Sequence, residues 1–324
     1  MKKSSHTDVN MLAKFNIGNC DQYALIRGND INNPIMLILH GGPGMSDMNF
    51  ADKYDKNLQK YFLVVHWDRR GTGKSYCSKI RNSDISFELL LNDIKEFINF
   101  LLKIFEKKKV FLVGHSAGTM LGLNFASLYP ELLYAYIGIG QFVDFISNEK
   151  LKYSYIIDKA KKYHNEKVLG ELEQIKFPND DFFKDFENYK LIWKWLEHYE
   201  GVYYKEKNMK KLRRETASSS VYSLVDYFKL IAGSKYTISK LWNEITSFST
   251  KELSKFFSIP IYFIYGKSDK ATSPEEGNKL FEEISAPKKD FFIIERAGHF
   301  PQYENHVEYE RIINEILKNK TIIP

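Results

Sequence analysis

Cysteine is nearly absent from this chain: Cys20 and Cys77 are the only two in 324 residues. Two thiols build neither a disulfide framework nor a Cys-rich zinc site. Long apolar runs are missing too. The longest, such as Ile35 to Leu39, are strand-sized, whereas a bilayer span needs about 20 residues. The N-terminus, MKKSSHTDVN, has the lysines of a secretory leader without the apolar stretch that follows them in one. Together these absences predict a cytoplasmic protein in a reducing environment, with no membrane partner.

Arginine is sparse, and repeats and low-complexity linkers are lacking. The net charge of +6 comes mostly from lysines scattered among acidic residues. The one dense stretch, KEKNMKKLRRE from Lys205 to Glu215, reads as a solvated helical face, not as a phosphate-binding strip. No nucleic-acid partner is expected. Hydrophobic residues at 44% and charged residues at 27% fit a folded chain, since a disordered one carries far less apolar surface. Aromatics are plentiful at 15%, enough to fill a core and to line an apolar pocket.

Short apolar runs alternate with amphipathic ones up to about residue 140. Gln22 to Arg27, Ile35 to Leu39, Phe62 to Trp67, Val110 to Val113 and Tyr134 to Ile139 read as strands. Ser86 to Phe105 and Ala117 to Leu128 read as helices, the second stopping before Pro130. From about Gln141 to Phe257 the strand signal fades into helical, charged and aromatic sequence. It resumes with Ile259 to Tyr265 and Phe291 to Glu295 as strands, and with Pro274 to Ile284 and Val307 to Lys318 as helices. Such alternation predicts an α/β fold with a parallel sheet covered on both faces. The expected division is a discontinuous core, residues 1–140 and 258–324, interrupted by a helical cap, residues 141–257.

Within that frame, Gly114-His115-Ser116-Ala117-Gly118 is a G-x-S-x-G elbow between a buried strand and a helix. The turn is tight, so its flanking residues must be small, and Ser116 is lifted to a helix N-terminus. His40-Gly41-Gly42-Pro43-Gly44 follows the strand Ile35 to Leu39. Its Gly42 N–H, with that of Ala117, is the expected oxyanion hole. Asp68-Arg69-Arg70-Gly71-Thr72-Gly73-Lys74-Ser75 ends like a P-loop, but the required first glycine is Asp68. This loop is expected to support the site structurally.

A serine nucleophile needs a base, and the base an orienting acid. Of eight histidines, His299 alone sits in a turn after the last strand and before the closing helix. His306, at a helix start, is its rival. Asp269, in a turn after Ile259 to Tyr265, is the expected acid, with Asp144 as the alternative seat. A carboxylate nucleophile, as epoxide- or halide-displacing chemistry uses, is excluded by Ser116. The expected reaction is acyl transfer to water through an acyl-enzyme, with no metal and no organic cofactor.

HGGPG at 40–44, DRRGTGKS at 68–75, GHSAG at 114–118, YGKSD at 265–269 and AGHFPQYEN at 297–305 together resemble the α/β-hydrolase superfamily. Within it, they resemble the proline iminopeptidase-like group. The resemblance implies eight mostly parallel strands, with the insertion as a helical cap over the pocket. It also implies removal of an N-terminal proline from short peptides, with cap glutamates pairing the substrate's α-ammonium. Trp195 to Gly201 resembles the group's aromatic-Glu-Gly segment and puts Glu200 in the glutamate position. Ala117 departs from the tryptophan frequent after the nucleophile, and no second glutamate is evident near Tyr222 to Gly233. The substrate expectation is therefore a small molecule or short peptide with an apolar acyl part. A carboxylesterase or lactonase, and a non-catalytic ligand-binding protein on the same fold, stand as alternatives. The cap aromatics Trp193, Trp195, Tyr199, Tyr203, Tyr204, Tyr227 and Phe228 are candidates to line the pocket, though at helical spacing most suit packing.

Overall fold

Runs of apolar residues with few polar interruptions build the centre of the molecule. They are Ile35–Leu39 (β3), Leu63–Asp68 (β4), Val110–His115 (β5), Leu133–Ile139 (β6) and Ile261–Gly266 (β7). Nearly every residue in them is buried, as interior strands of a sheet covered on both faces require. Lys289–Ile294 (β8) forms one edge; Val9–Ile17 (β1) and Cys20–Gly28 (β2) form a hairpin at the other. A computed structural model gives this architecture and describes residues 8–77, 80, 84–173, 179–216 and 218–318.

The eight strands lie in the order β1-β2-β4-β3-β5-β6-β7-β8. β1 pairs antiparallel with β2, and β2 with β4. All other neighbours are parallel. β1 has no counterpart among the strands read from sequence. Its burial alternates residue by residue, but the exposed positions carry Leu12 among Asn10, Lys14 and Asn16, which interrupts the period-two pattern of the sequence. The turn that returns it is explicit: Gly18 and Asn19 both have positive φ, +54° and +58°, the backbone of a tight two-residue hairpin.

Helices cover both faces. Phe87–Ile104 buries Leu90, Ile94, Phe97, Ile98 and Leu101, and Ser86 caps it by accepting from Leu89 N at 3.1 Å. Ala117–Leu128, Pro274–Glu283 and His306–Lys318 complete the layers. Between β6 and β7 the chain builds Phe145–Lys162, Glu166–Glu173, Asp180–Lys184, Phe186–His198, Lys210–Thr216 and Leu224–Thr246. Asp144 is the N-cap of the first of these, accepting from Ser147 N; that capping bond occupies the carboxylate considered as an alternative acid. No helix among the described residues is long and apolar enough to cross a membrane.

One charged cluster lies inside the core. His66 on β4 sits between Asp47 (Nδ1 to Oδ1, 2.8 Å) and Asp55 (Nε2 to Oδ2, 2.6 Å). Burial alone would push this imidazole down, but Asp55 and Asp47 outweigh it and raise His66 to about 10. The unfolded chain titrates near about 6.5. The stabilisation from this imidazolium is therefore complete below about pH 6.5 and lost as pH rises through about 10. The urea midpoint of the wild type is expected to fall from about pH 7 to about pH 10. A His66→Gln variant should show a flatter dependence; equal slopes in the two proteins would contradict this reading.

Candidate active site

The end of β5 and the start of helix Ala117–Leu128 leave one residue between them. Ser116 makes that turn with φ +52° and ψ −124°, a conformation L-residues adopt only where surrounding packing imposes it. The packing here is backbone on backbone. A Cβ on Gly118 would lie 2.1 Å from the Leu39 carbonyl oxygen and 2.7 Å from that of His40. Neither atom can retreat without moving β3. Gly118→Ala is expected to destabilise the fold by about 1–3 kcal/mol, the usual cost of overpacking, and to displace Ser116. Urea denaturation with activity measured alongside would check both effects.

Sequence expectation and structure agree on which side chains meet at this turn. Ser116 Oγ lies 2.8 Å from His299 Nε2, and His299 Nδ1 lies 2.9 Å from Asp269 Oδ2. Asp269 follows β7, His299 follows β8, and both are buried. Asp269 is fully engaged: Oδ1 accepts from Ala271 N and Thr272 N at 2.8 and 2.9 Å, and Oδ2 from Thr272 Oγ1 at 2.8 Å. A carboxylate only accepts here, so His299 Nδ1 carries the proton and Nε2 presents its lone pair to Ser116.

The loop from His40 to Gly44 packs directly against the serine. A Cβ on Gly41 would come within 3.2 Å of Ser116 Cβ, and Gly42 has φ +119°, a left-handed conformation natural to glycine. The 68–75 loop props this arrangement, as its residues suggested. Arg69 Nη2 donates to the His40 carbonyl oxygen at 2.6 Å. Burial and then Arg69 push His40 down to about 3, so its ring is neutral. Asp68 accepts from Tyr222 Oη and Lys74 N, each at 2.7 Å; burial raises its carboxyl to about 6.

Three residues that sequence reasoning passed over hold His299 in place. His115 donates from Nε2 to the His299 carbonyl oxygen at 2.9 Å. Burial, followed by the neighbouring His299, pushes His115 down to about 4 and keeps it neutral. Glu304 accepts from Gly298 N at 2.7 Å, Phe300 N at 3.3 Å and Tyr204 N at 2.7 Å, so it grips the His299 turn on both sides. Thr272 is the third, through Asp269. The only advance signal was Glu304's place in AGHFPQYEN. The segment 201–203 docks here too: Val202 O accepts from His299 N at 2.7 Å, and Gly201 O from Lys270 N at 2.8 Å.

Glu200, two residues before Val202, is not part of this cluster. It ends helix Phe186–His198 with φ +60°, and its side chain is exposed. It lines an outer groove with Lys159, Tyr163, His164, His198 and Lys207, none of which joins Ser116, His299 or Asp269. Of the candidate aromatics, Trp193 faces His299 edge-on at 6.5 Å between ring centres, and Tyr203 stacks on Phe300 at 5.4 Å. Trp195 instead donates to Glu171, and Phe228 is 73% exposed.

A strand order of this kind, with serine at a strained strand–helix turn and histidine and aspartate on the loops after later strands, defines an α/β-hydrolase. A profile described as the alpha/beta hydrolase fold matches residues 34–306, and the chain belongs to this family. Within it, the chain is similar to proteins named aminopeptidase and proline iminopeptidase. It is 29% identical over 298 residues to the Bacillus subtilis protein named "Probable aminopeptidase YbaC", covering 91% of this chain and 92% of that one. It is 22% identical to the proline iminopeptidase of Thermoplasma volcanium, with coverage of 87% and 88%. Among solved structures, the proline iminopeptidase-related protein TTHA1809 of Thermus thermophilus superposes with a TM-score of 0.69. Identity there is 16%, over 96% of this chain and 98% of that one, a likeness of fold.

Proposed function

We propose that the protein is a serine hydrolase that cleaves small amides or esters through an acyl-enzyme, with aminopeptidase action on short peptides as the specific reading. The observation that carries this is the unbroken row from Ser116 Oγ through His299 to Asp269, at 2.8 and 2.9 Å. In the proposed mechanism His299 Nε2 takes the hydroxyl proton as Ser116 Oγ attacks the substrate carbonyl carbon. The N–H groups of Gly42 and Ala117 receive the oxyanion, the latter helped by the positive end of its helix. His299 returns the proton to the leaving amine or alcohol, the C–N or C–O bond breaks, and the acyl group stays on Ser116. Water, deprotonated by the same nitrogen, then releases the acid and restores the serine. Asp269 stabilises the imidazolium in both halves.

Support for the aminopeptidase reading comes from relatives named aminopeptidase and proline iminopeptidase. One observation favours ester cleavage beside it: Glu200, the carboxylate expected for an α-ammonium, faces an outer groove. Hydrolysis of prolyl and other aminoacyl p-nitroanilides, compared with short-chain p-nitrophenyl esters, separates the two. A strong requirement for a free α-amino group supports the aminopeptidase; indifference to it supports the esterase or lactonase. A fluorophosphonate probe tests the shared premise, and folded protein that stays unlabelled would overturn it. The helices between β6 and β7, residues 141–257, act in this scheme as the cap that selects substrate. Two free thiols, Cys20 and Cys77, suit the proposed cytoplasmic location.

A further inference from the structure

Helix Leu224–Thr246 is firmly anchored on one side and bare on the other. Ser223 starts it with a capping box: Ser223 Oγ accepts from Asp226 N at 3.3 Å, and Asp226 Oδ2 accepts from Ser223 N at 3.0 Å. Tyr222 Oη donates to Asp68 at 2.7 Å, Lys74 Nζ to Asp226 at 2.6 Å, and Ser234 Oγ to the Pro43 carbonyl oxygen at 3.3 Å. These bonds pin the helix to the core and to the loop that carries Gly42. On the opposite side Leu224 and Phe228 are 80% and 73% exposed, and Val225 and Ile231 are 63% and 59% exposed. Leu224, Phe228 and Ile231 follow one another at steps of four and three, so they share one stripe, with Val225 beside it. Single exposed apolar residues are ordinary, but a contiguous set on an anchored helix marks a contact surface.

The charge around this stripe has one sign. Lys229 and the exposed Lys235 flank it. The sole acidic residue from Leu224 to Asn243 is Asp226, which is buried and held by Lys74. The preceding helix, Lys210–Thr216, adds the exposed Lys210, Lys211, Arg213 and Arg214. Both helices rest on residues 46–54, through Glu215 with Tyr54, Thr216 with Asn49 and Tyr222 with Ser46. From 205 to 240 the sequence has nine basic and three acidic residues, a surplus equal to the net +6 of the whole chain. A second copy seated on this face would set like charges against each other. The apolar side chains stand out from one convex helix. A protein partner needs a matching groove to receive them, whereas a fluid lipid surface closes around them. The lack of a long apolar run argued against a membrane partner, but a helix lying in the interface needs no such run.

We propose that residues 224–235 form an interfacial helix by which the protein docks on an anionic lipid surface. Leu224, Val225, Phe228 and Ile231 enter the lipid, and Lys229 and Lys235 meet the headgroups. This proposal is independent of the chemistry at Ser116. Its test is co-sedimentation with vesicles of phosphatidylcholine alone and of phosphatidylcholine mixed with equal phosphatidylglycerol, at about 0.1 M salt. The partition coefficient of the wild type is expected to be about tenfold or more higher on the mixed vesicles and to fall as salt is raised. The Phe228→Ser, Ile231→Ser double variant should lose about tenfold or more on the mixed vesicles. The Lys229→Gln, Lys235→Gln double variant should lose about tenfold there and bind neutral vesicles as the wild type does. Phe256→Ser is the control, because Phe256 is 80% exposed but bridges to Ser285 in the core; its binding should be unchanged. All four substituted positions on the helix face solvent, so the urea midpoints of the variants should stay near that of the wild type. No binding to the mixed vesicles, equal binding to both kinds, or an apolar double variant that binds like the wild type overturns the proposal. So does a loss in Phe256→Ser as large as that in the apolar double variant. A dimer in sedimentation equilibrium that Phe228→Ser with Ile231→Ser dissociates would assign the face to a second copy and overturn it as well.

Discussion

Ser116→Ala should abolish turnover, with kcat falling by roughly 10⁶-fold, the loss seen when a triad nucleophile is removed from a serine hydrolase. Fluorophosphonate labelling should vanish with it. The size of the effect follows from the geometry. Ser116 Oγ is the atom that His299 Nε2 faces at 2.8 Å, and the substitution removes that atom with little other change. Alanine suits the strained turn no worse than serine, because the strain lies in the backbone at φ +52°. Near-ultraviolet circular dichroism and the urea midpoint should therefore match the wild type. A Ser116→Ala protein that retains substantial turnover would show that the row of side chains is not the catalytic apparatus.

Asp269→Asn should cost roughly 10⁴-fold in kcat, for a reason legible in the hydrogen bonds. The Oδ1 position accepts two backbone N–H groups, from Ala271 and Thr272. An asparagine would keep its carbonyl oxygen there and turn its NH₂ towards His299 Nδ1. A donor now faces a nitrogen that must itself donate. His299 would switch to the other tautomer, put its proton on Nε2, and lose the lone pair that receives the Ser116 proton. Thr272 Oγ1, which donates to the same carboxylate oxygen at 2.8 Å, would lose its acceptor as well. The fluorophosphonate labelling rate should fall in parallel with kcat while the fold persists. Unaltered kinetics in Asp269→Asn would reassign the acid.

The meeting of Ser116, His299 and Asp269 was the most legible part of the sequence because it is written in local constraints. A serine between glycines, after an apolar strand and before a helix, leaves few backbone paths, and the places of Asp269 and His299 along the chain follow from the strands β7 and β8 that precede them. What could not be read depends on distant partners. His115 looked like a residue flanking a motif glycine, yet its Nε2 reaches the carbonyl of a residue 184 positions away. Glu304 binds the backbone of Tyr204, 100 positions earlier. Nothing in the composition of either neighbourhood announces such pairings. Glu200 shows the opposite case. Its aromatic-Glu-Gly context does lie close to the site, but through the carbonyls of Gly201 and Val202, while the carboxylate points outward. β1 escaped notice because an edge strand with one wet face carries half the apolar signal of an interior one.

Those two carbonyls, with the Tyr204 N–H, have a thermodynamic consequence. Residues of the helical insertion hydrogen-bond to the loops that present both Asp269 and His299. The roof over the serine is thus tied to the same two turns that the sheet supports from below. Separating roof from sheet would leave backbone donors at 270 and 299 without partners and so incurs a penalty on both sides. Melting should then be a single cooperative event, with the calorimetric and van't Hoff enthalpies equal. An insertion lacking the 201–204 backbone would leave the turns that carry Asp269 and His299 without these hydrogen bonds, and is expected to displace both side chains together.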